Sequence, residues 1–226
     1  MPDNIIQYIL LLAAILFCRV PYIGKFLRVF NTLLHESGHA IIALITNGEV
    51  ERIDLYADTS GQALTKSQNT FLNFLVVISG YPIASIAAWA LFILLSRHQF
   101  YFIIYFIIGL MLLNLVLWVR NSYGIIWLLL CITGLSSLIY FKNEILMEYV
   151  LLIICAAALS ESVYSAWVVF YLSIKMPKSS GDAFLLSKMT YIPSFFWGIL
   201  FFAQAIYFAW LSIIEFWRVY PINLSL

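Results

Sequence analysis

The feature that most limits what this chain can fold into is its succession of long apolar runs. Seven can be marked: Ile5–Cys18, Phe30–Thr46, Phe71–Ser96, Phe100–Val119, Gly124–Phe141, Tyr149–Ile174 and Ser194–Trp217. Helical runs of about 20 residues match the thickness of a bilayer's hydrocarbon core. No water reaches that core to satisfy backbone N–H and C=O groups, so a spanning segment must bond its own, as a helix does. Composition agrees, since 64% of the 226 residues are hydrophobic and 10% are charged, against about 25% charged in soluble domains. Trp and Tyr recur near the segment ends, among them Tyr22, Trp118, Tyr149 and Trp217, where amphipathic rings settle at an interface. The expectation is an all-α, multi-pass membrane protein of about six to seven hydrophobic helices, embedded in a lipid bilayer. A net charge of +1 offers no basic face to nucleic acid, so none is expected as a partner. Cys18, Cys131 and Cys155 match neither a disulfide framework nor a cysteine zinc site and read as small buried side chains. The first run follows Pro2-Asp3-Asn4 without a basic stretch, which reads as a retained anchor rather than a cleaved leader.

Inside the second run stands Leu33-Leu34-His35-Glu36-Ser37-Gly38-His39-Ala40. Residues four apart share a helix face, so His35 and His39 can aim imidazole nitrogens at one metal ion. Glu36, about 100° further round the helix, can reach a water on that metal rather than the metal itself. Two neutral imidazoles suit Zn2+ as a Lewis acid, and the carboxylate suits the role of general base. Three ionisable groups in an apolar segment cost roughly 2.5 to 3.5 kcal/mol each to insert, so chance is a poor explanation of the pattern. Catalytic zinc takes three protein ligands, and the residues leave the third open among Glu49, Glu51, Asp54, Asp58, His98, Glu161 and Asp182.

Two connections are long enough to do more than reverse the chain. The first opens on Asn47-Gly48 and offers two extended runs, Glu49–Tyr56 and Gly61–Thr65, joined by Asp58-Thr59-Ser60-Gly61. That pattern predicts a small β-hairpin at the membrane surface, directly after the histidine helix. The second, Lys175 to Tyr191, carries an amphipathic stretch from Ala183 to Met189 that Ser180 or Asp182 could cap.

The motif His35-Glu36-Ser37-Gly38-His39-Ala40, the Asn47-Gly48 hairpin, Ser79-Gly80-Tyr81-Pro82 in the next span and the late Gly181-Asp182-Ala183-Phe184-Leu185-Leu186 together resemble the site-2 protease family of intramembrane zinc metalloproteases. The likeness is to the compact bacterial branch without PDZ or CBS domains and covers about Val29 to Trp210. It implies a multi-pass protein of a bacterial inner membrane that cuts membrane-protein or peptide substrates. It also implies that residues 1–226 form a single transmembrane protease domain, with residues 1–29 as anchor helix and basic loop and 30–226 as the metalloprotease core. Carried over, the zinc ligands are His35, His39 and Asp182, and Glu36 is the base. The family's asparagine has no counterpart in Gly80-Tyr81-Pro82-Ile83-Ala84. A substrate helix must be unwound before cleavage, and a strand formed by Glu49, Val50, Glu51, Arg52, Ile53, Asp54 and Leu55 is expected to receive it by strand addition. Glu161, the other carboxylate within a span, is assigned as an outer partner of a zinc-bound histidine. Four segments separate the histidine helix from Asp182, which reads as placing the two near opposite membrane faces. On that reading a segment fails to cross or Asp182 dips inward on non-helical backbone. The alternative from another class is a non-proteolytic transporter or assembly factor with a structural or vestigial metal site.

Overall fold

The computed structural model describes residues 4–221; Pro2 and Asp3, on which the leader reading partly rests, lie outside them. In order, the elements are α1 (Ile5–Phe17), α2 (Ile23–Ile45), β1 (Glu49–Leu55), β2 (Gly61–Lys66), α3 (Thr70–Ser96), α4 (Phe100–Leu117), α5 (Ser122–Phe141), α6 (Glu144–Lys175), a 3-10 turn (Pro177–Ser179), α7 (Asp182–Thr190) and α8 (Ser194–Val219). Five helices, α3, α4, α5, α6 and α8, are long and apolar enough to cross a membrane. The other two apolar runs become α1, which is 13 residues long, and α2, which begins well before Phe30 and so takes in Lys25 and Arg28.

Asparagines start two of the spans. Asn69 Oδ1 accepts from Leu72 N at 2.9 Å and Asn143 Oδ1 from Leu146 N at 3.0 Å, each satisfying one of the first-turn donors that a helix leaves free. Between membrane helices, lipid removes most of the hydrophobic driving force, and close packing of small residues takes its place. Gly38 meets α3 in this way: a Cβ on it would stand 3.1 Å from Ile83 Cβ and 3.4 Å from Gly80 Cα. The largest buried cluster includes Leu33 and Ala40 of α2, Ile53 and Leu55 of β1, Leu91 and Phe92 of α3 and Met147 and Leu151 of α6. Cys18 and Cys155 are buried and Cys131 half-buried, all as free thiols.

The expected hairpin is present. Gly48 N donates to Ala43 O (2.8 Å) and the turn reaches Arg28 and Thr32, whose side chains donate to Thr59 Oγ1 and Thr59 O, both at 2.8 Å. It therefore folds back beside α2 over 15 helical residues, about 22 Å at 1.5 Å per residue. The strands pair antiparallel from Glu49 opposite Lys66 to Leu55 opposite Gly61, with a bulge between Val50 and Arg52.

Helix directions remove the difficulty raised by four intervening segments. Arg28 lies 3.4 Å from Glu161 and Asn31 3.5 Å from Ser165, so α2 and α6 run parallel, with α3 returning between the same ends. Four candidate spans, α3 to α6, are an even number and bring the chain back to the face where α2 ends, so the expected separation of the histidines from Asp182 does not arise. No span has to fall short. Asp182 comes after the 3-10 turn at the first position of α7, following Gly181 (φ 55°). The expected side-chain cap is not there: Ser180 Oγ donates back to Pro177 O, and Asp182 turns toward the histidines.

Candidate metal centre

Three elements from distant parts of the sequence meet halfway along α2. His35 Nε2 and His39 Nε2 stand 3.1 Å apart, and Asp182 Oδ2 lies 3.3 Å from each. Among the described residues this is the group whose ligand atoms, all within 4.8 Å of one another, could hold a metal ion. The fit follows from the donors themselves. Asp182 Oδ2 is buried without a hydrogen-bond partner, and an orphaned carboxylate oxygen in an apolar region is costly. His39 Nδ1 lies 2.7 Å from Val76 O; a carbonyl only accepts, so the proton sits on Nδ1 and the Nε2 lone pair is directed at the other two ligands. Three ligand atoms gathered this closely could hold a cation between them.

Helix α3 is shaped around this point. A Cβ on Gly80 would fall 2.5 Å from His35 Cε1, 2.6 Å from His39 Nε2 and 2.7 Å from His35 Nδ1, so only glycine lets α3 pass so close to both rings. Pro82 follows within the helix, where it removes a backbone hydrogen bond. Tyr81 sets its ring against His35, with centroids 4.5 Å apart and planes at 66°, and Phe201 lies behind it at 4.6 Å.

Glu36 is 6% exposed and faces a cavity of about 400 Å³ that also reaches His35, His39, Gly61, Tyr81 and Asp182. Strand β2 closes one side of it: a Cβ on Gly61 would lie 2.9 Å from Glu36 Oε1 and 2.5 Å from Thr32 Cγ2. The arrangement combines three metal-ligating atoms, a carboxylate one helical step away and room for a substrate strand.

A family model described as Peptidase M50B-like matches residues 8–212, which include every one of these side chains. The chain belongs to the Peptidase M50B-like family. That places it among the site-2 proteases, as the sequence resemblance implied. Comparison with curated proteins and with solved structures finds no match.

Two assignments made for this M50B-like chain from sequence are revised by the contacts. Glu161 touches neither histidine. Its Oε1 is 2.5 Å from Arg19 Nη2 and its Oε2 3.4 Å from Arg28 Nε, and the partner behind His39 is the Val76 carbonyl, which no side-chain pattern announces. The strand edge expected on Glu49, Val50, Glu51, Arg52, Ile53, Asp54 and Leu55 is occupied at its site-ward end: Ile53 N donates to Trp118 O (3.0 Å), and Leu55 N donates to Asn121 Oδ1 (3.1 Å). Ile53 and Leu55 are fully buried there and Asp54 is 6% exposed, accepting from Arg52. Gly61, Gln62 and Ala63 of β2 line the cavity instead. Of the other candidate ligands, none of Glu49, Glu51, Asp54, Asp58 and His98 joins the cluster. Sequence reasoning gave Gly80 and Tyr81 no role at the metal site, although a Gly-x-Pro inside an apolar span was a signal that a helix was being shaped around something.

Proposed function

We propose that this M50B-like chain is an intramembrane zinc metalloprotease that hydrolyses peptide bonds of membrane-embedded protein or peptide substrates, in a bacterial inner membrane as its resemblance to the compact bacterial branch implies. The observation that carries the reading is the convergence of His35 Nε2, His39 Nε2 and Asp182 Oδ2 beside the Glu36 carboxylate in one cavity. A donor set of two imidazoles and one carboxylate suits Zn2+, which as a Lewis acid polarises a carbonyl and lowers the pKa of a bound water to about 7.

The chain's own residues do the rest. His39 is fixed in one tautomer and orientation by Val76 O, and His35 is held edge-on by Tyr81. Glu36 accepts the proton of the attacking water and then delivers it to the departing amine as the C–N bond breaks. Its burial keeps that proton from bulk solvent. An unwound substrate segment adds to β2 along Gly61–Lys66, whose ladder partner β1 covers only one of its edges, and so lays its backbone past Glu36. A purely structural metal site has no use for an acceptor such as Glu36 and tends to close with a fourth protein ligand, which counts against the non-proteolytic alternative.

The test uses purified protein and fluorogenic peptides built on a membrane segment with a central Gly-Pro. Glu36→Gln should abolish cleavage and keep the metal. Equal cleavage by Glu36→Gln, or a metal-loaded wild type that cuts no such peptide, would remove the reading.

A further inference from the structure

The cavity contains a hydroxyl that no described residue engages. Tyr81 stands on α3 one residue past the glycine that admits both histidines, its ring clamped between His35 and Phe201. The residue lines the cavity together with Glu36 and Asp182. Among the described residues that hydroxyl makes no hydrogen bond, whereas the hydroxyls of Thr32, Ser79, Ser165 and Ser194 nearby all donate to backbone carbonyls. The hydroxyl opens onto this polar-lined cavity rather than being sealed in the core, so it is free to donate to whatever enters. Phenylalanine would give the same ring packing without the hydroxyl, so the packing does not account for the oxygen.

Placement supplies the reason. A carbonyl carbon attacked beside His35, His39 and Asp182 by a water that Glu36 deprotonates gains negative charge on its oxygen. A donor is useful there only if it is fixed in advance on a rigid element and shielded from water. Tyr81 meets both conditions: two aromatic neighbours hold its ring, and α3 carries it at a point already set by the Gly80–histidine contacts. Of the other uncharged donors that line the cavity, Asn31, Thr32, Ser60 and Ser165 already donate within the chain and Gln62 stands exposed on a strand.

We propose that Tyr81 is a catalytic residue of the hydrolysis, its hydroxyl donating a hydrogen bond to the scissile carbonyl oxygen as charge develops there. This rests on the protease reading above. In the step, the water oxygen bonds to the carbonyl carbon, the π electron pair moves onto the carbonyl oxygen, and Glu36 takes the water's proton. The C–N bond then breaks, the electron pair returns to re-form C=O, and Glu36 protonates the nitrogen. Tyr81 keeps its own proton throughout. The substrate class follows: any peptide carbonyl presented along β2, with no demand on the side chains beside it.

The experiment compares wild type and Tyr81→Phe on the same fluorogenic membrane-segment peptide, with zinc content and inhibition by a phosphonamidate analogue of that peptide measured in parallel. The phosphonamidate carries a charged tetrahedral oxygen where the carbonyl was; the cleaved product does not. Losing one preorganised donor of this kind costs about 10²- to 10³-fold in kcat. The expected result is a fall of that order with KM little changed and zinc retained. Phosphonamidate potency should drop in parallel, while inhibition by the product stays constant. Wild-type kcat in the variant would overturn the proposal. So would loss of zinc, which would make Tyr81 a support for His35, and so would a change confined to KM. A zinc-loaded wild type that cleaves nothing overturns the protease reading and this role with it, whereas an unaffected variant of an active enzyme overturns this role alone.

Discussion

Replacing Gly80 by alanine adds one methyl group, and the structure says where it goes. Its carbon would stand 2.5 Å from His35 Cε1 and 2.6 Å from His39 Nε2, where ordinary contact begins near 3.4 Å. Something must move by about 0.9 Å. Small-residue packing holds α3 close to α2, since even a Cβ on Gly38 would meet Ile83 Cβ at 3.1 Å and Gly80 Cα at 3.4 Å, so the strain falls on the imidazoles. Metal sites hold their ligands to within about 0.2 Å, and a ring displaced several times that far no longer shares a metal with Asp182. Overpacking of this kind costs about 1–3 kcal/mol, which at 1.4 kcal/mol per tenfold is about a 5- to 150-fold loss of zinc affinity. Gly109→Ala in α4 is the control, since nothing lies within 4 Å of the added carbon. Competition with a chromophoric chelator on the purified variants measures the difference. Gly80→Ala with wild-type zinc affinity would refute the close approach of α3 to the two histidines.

Other expectations follow from the same contacts. Gly61→Ala pushes β2 away from Thr32 and Glu36 and should lower kcat/KM about 10²-fold, the scale of a 1 Å misplacement, with zinc intact; unchanged turnover would remove β2 from the substrate path. Glu161→Gln leaves Arg19 and Arg28 without their carboxylate, at the low end of the cost of breaking a buried pair, about 3 kcal/mol, because the Arg19 side chain is 37% exposed. Thermal unfolding should register that loss while zinc content stays constant, and loss of zinc would restore Glu161 to the metal centre. At the hairpin turn, Ser60 Oγ (2.6 Å) and Ser60 N (2.9 Å) donate to Asp58 and, the hydroxyl chiefly, hold its carboxyl below the usual range. A depressed carboxyl supports the turn fully above its unfolded value of about 3.9 and loses that support as pH falls through the folded value. Asp58→Ala should therefore speed amide exchange at Thr59–Gly61 at pH 7 and converge with wild type in strong acid, and an equal difference at both pH values would contradict the assignment.

The spans and the histidine motif were legible because each rests on a local rule. Apolar length gives a helix, and a four-residue spacing puts His35 and His39 on one face. The hairpin was legible from Asn47-Gly48 and the two extended runs around Asp58–Gly61. The choice of Asp182 as the candidate third ligand came from family resemblance, since nothing local distinguishes Gly181-Asp182 from the other acidic candidates. What escaped was tertiary. Glu161 takes its partners from Arg19 and Arg28, which approach only when α2 and α6 run parallel. Likewise, the outer edge of β1 is taken by Trp118 and Asn121, and it is β2 that lines the cavity. The second partner of His39 is a backbone carbonyl, and every residue has one, so composition cannot single out Val76.

The most direct test of the account is the metal content of the purified protein, with wild type beside His39→Ala and Asp182→Ala. The three-ligand site predicts about one zinc per chain in wild type, lost or much reduced in both variants. Zinc retained in Asp182→Ala, or a folded wild type that binds none, would contradict it.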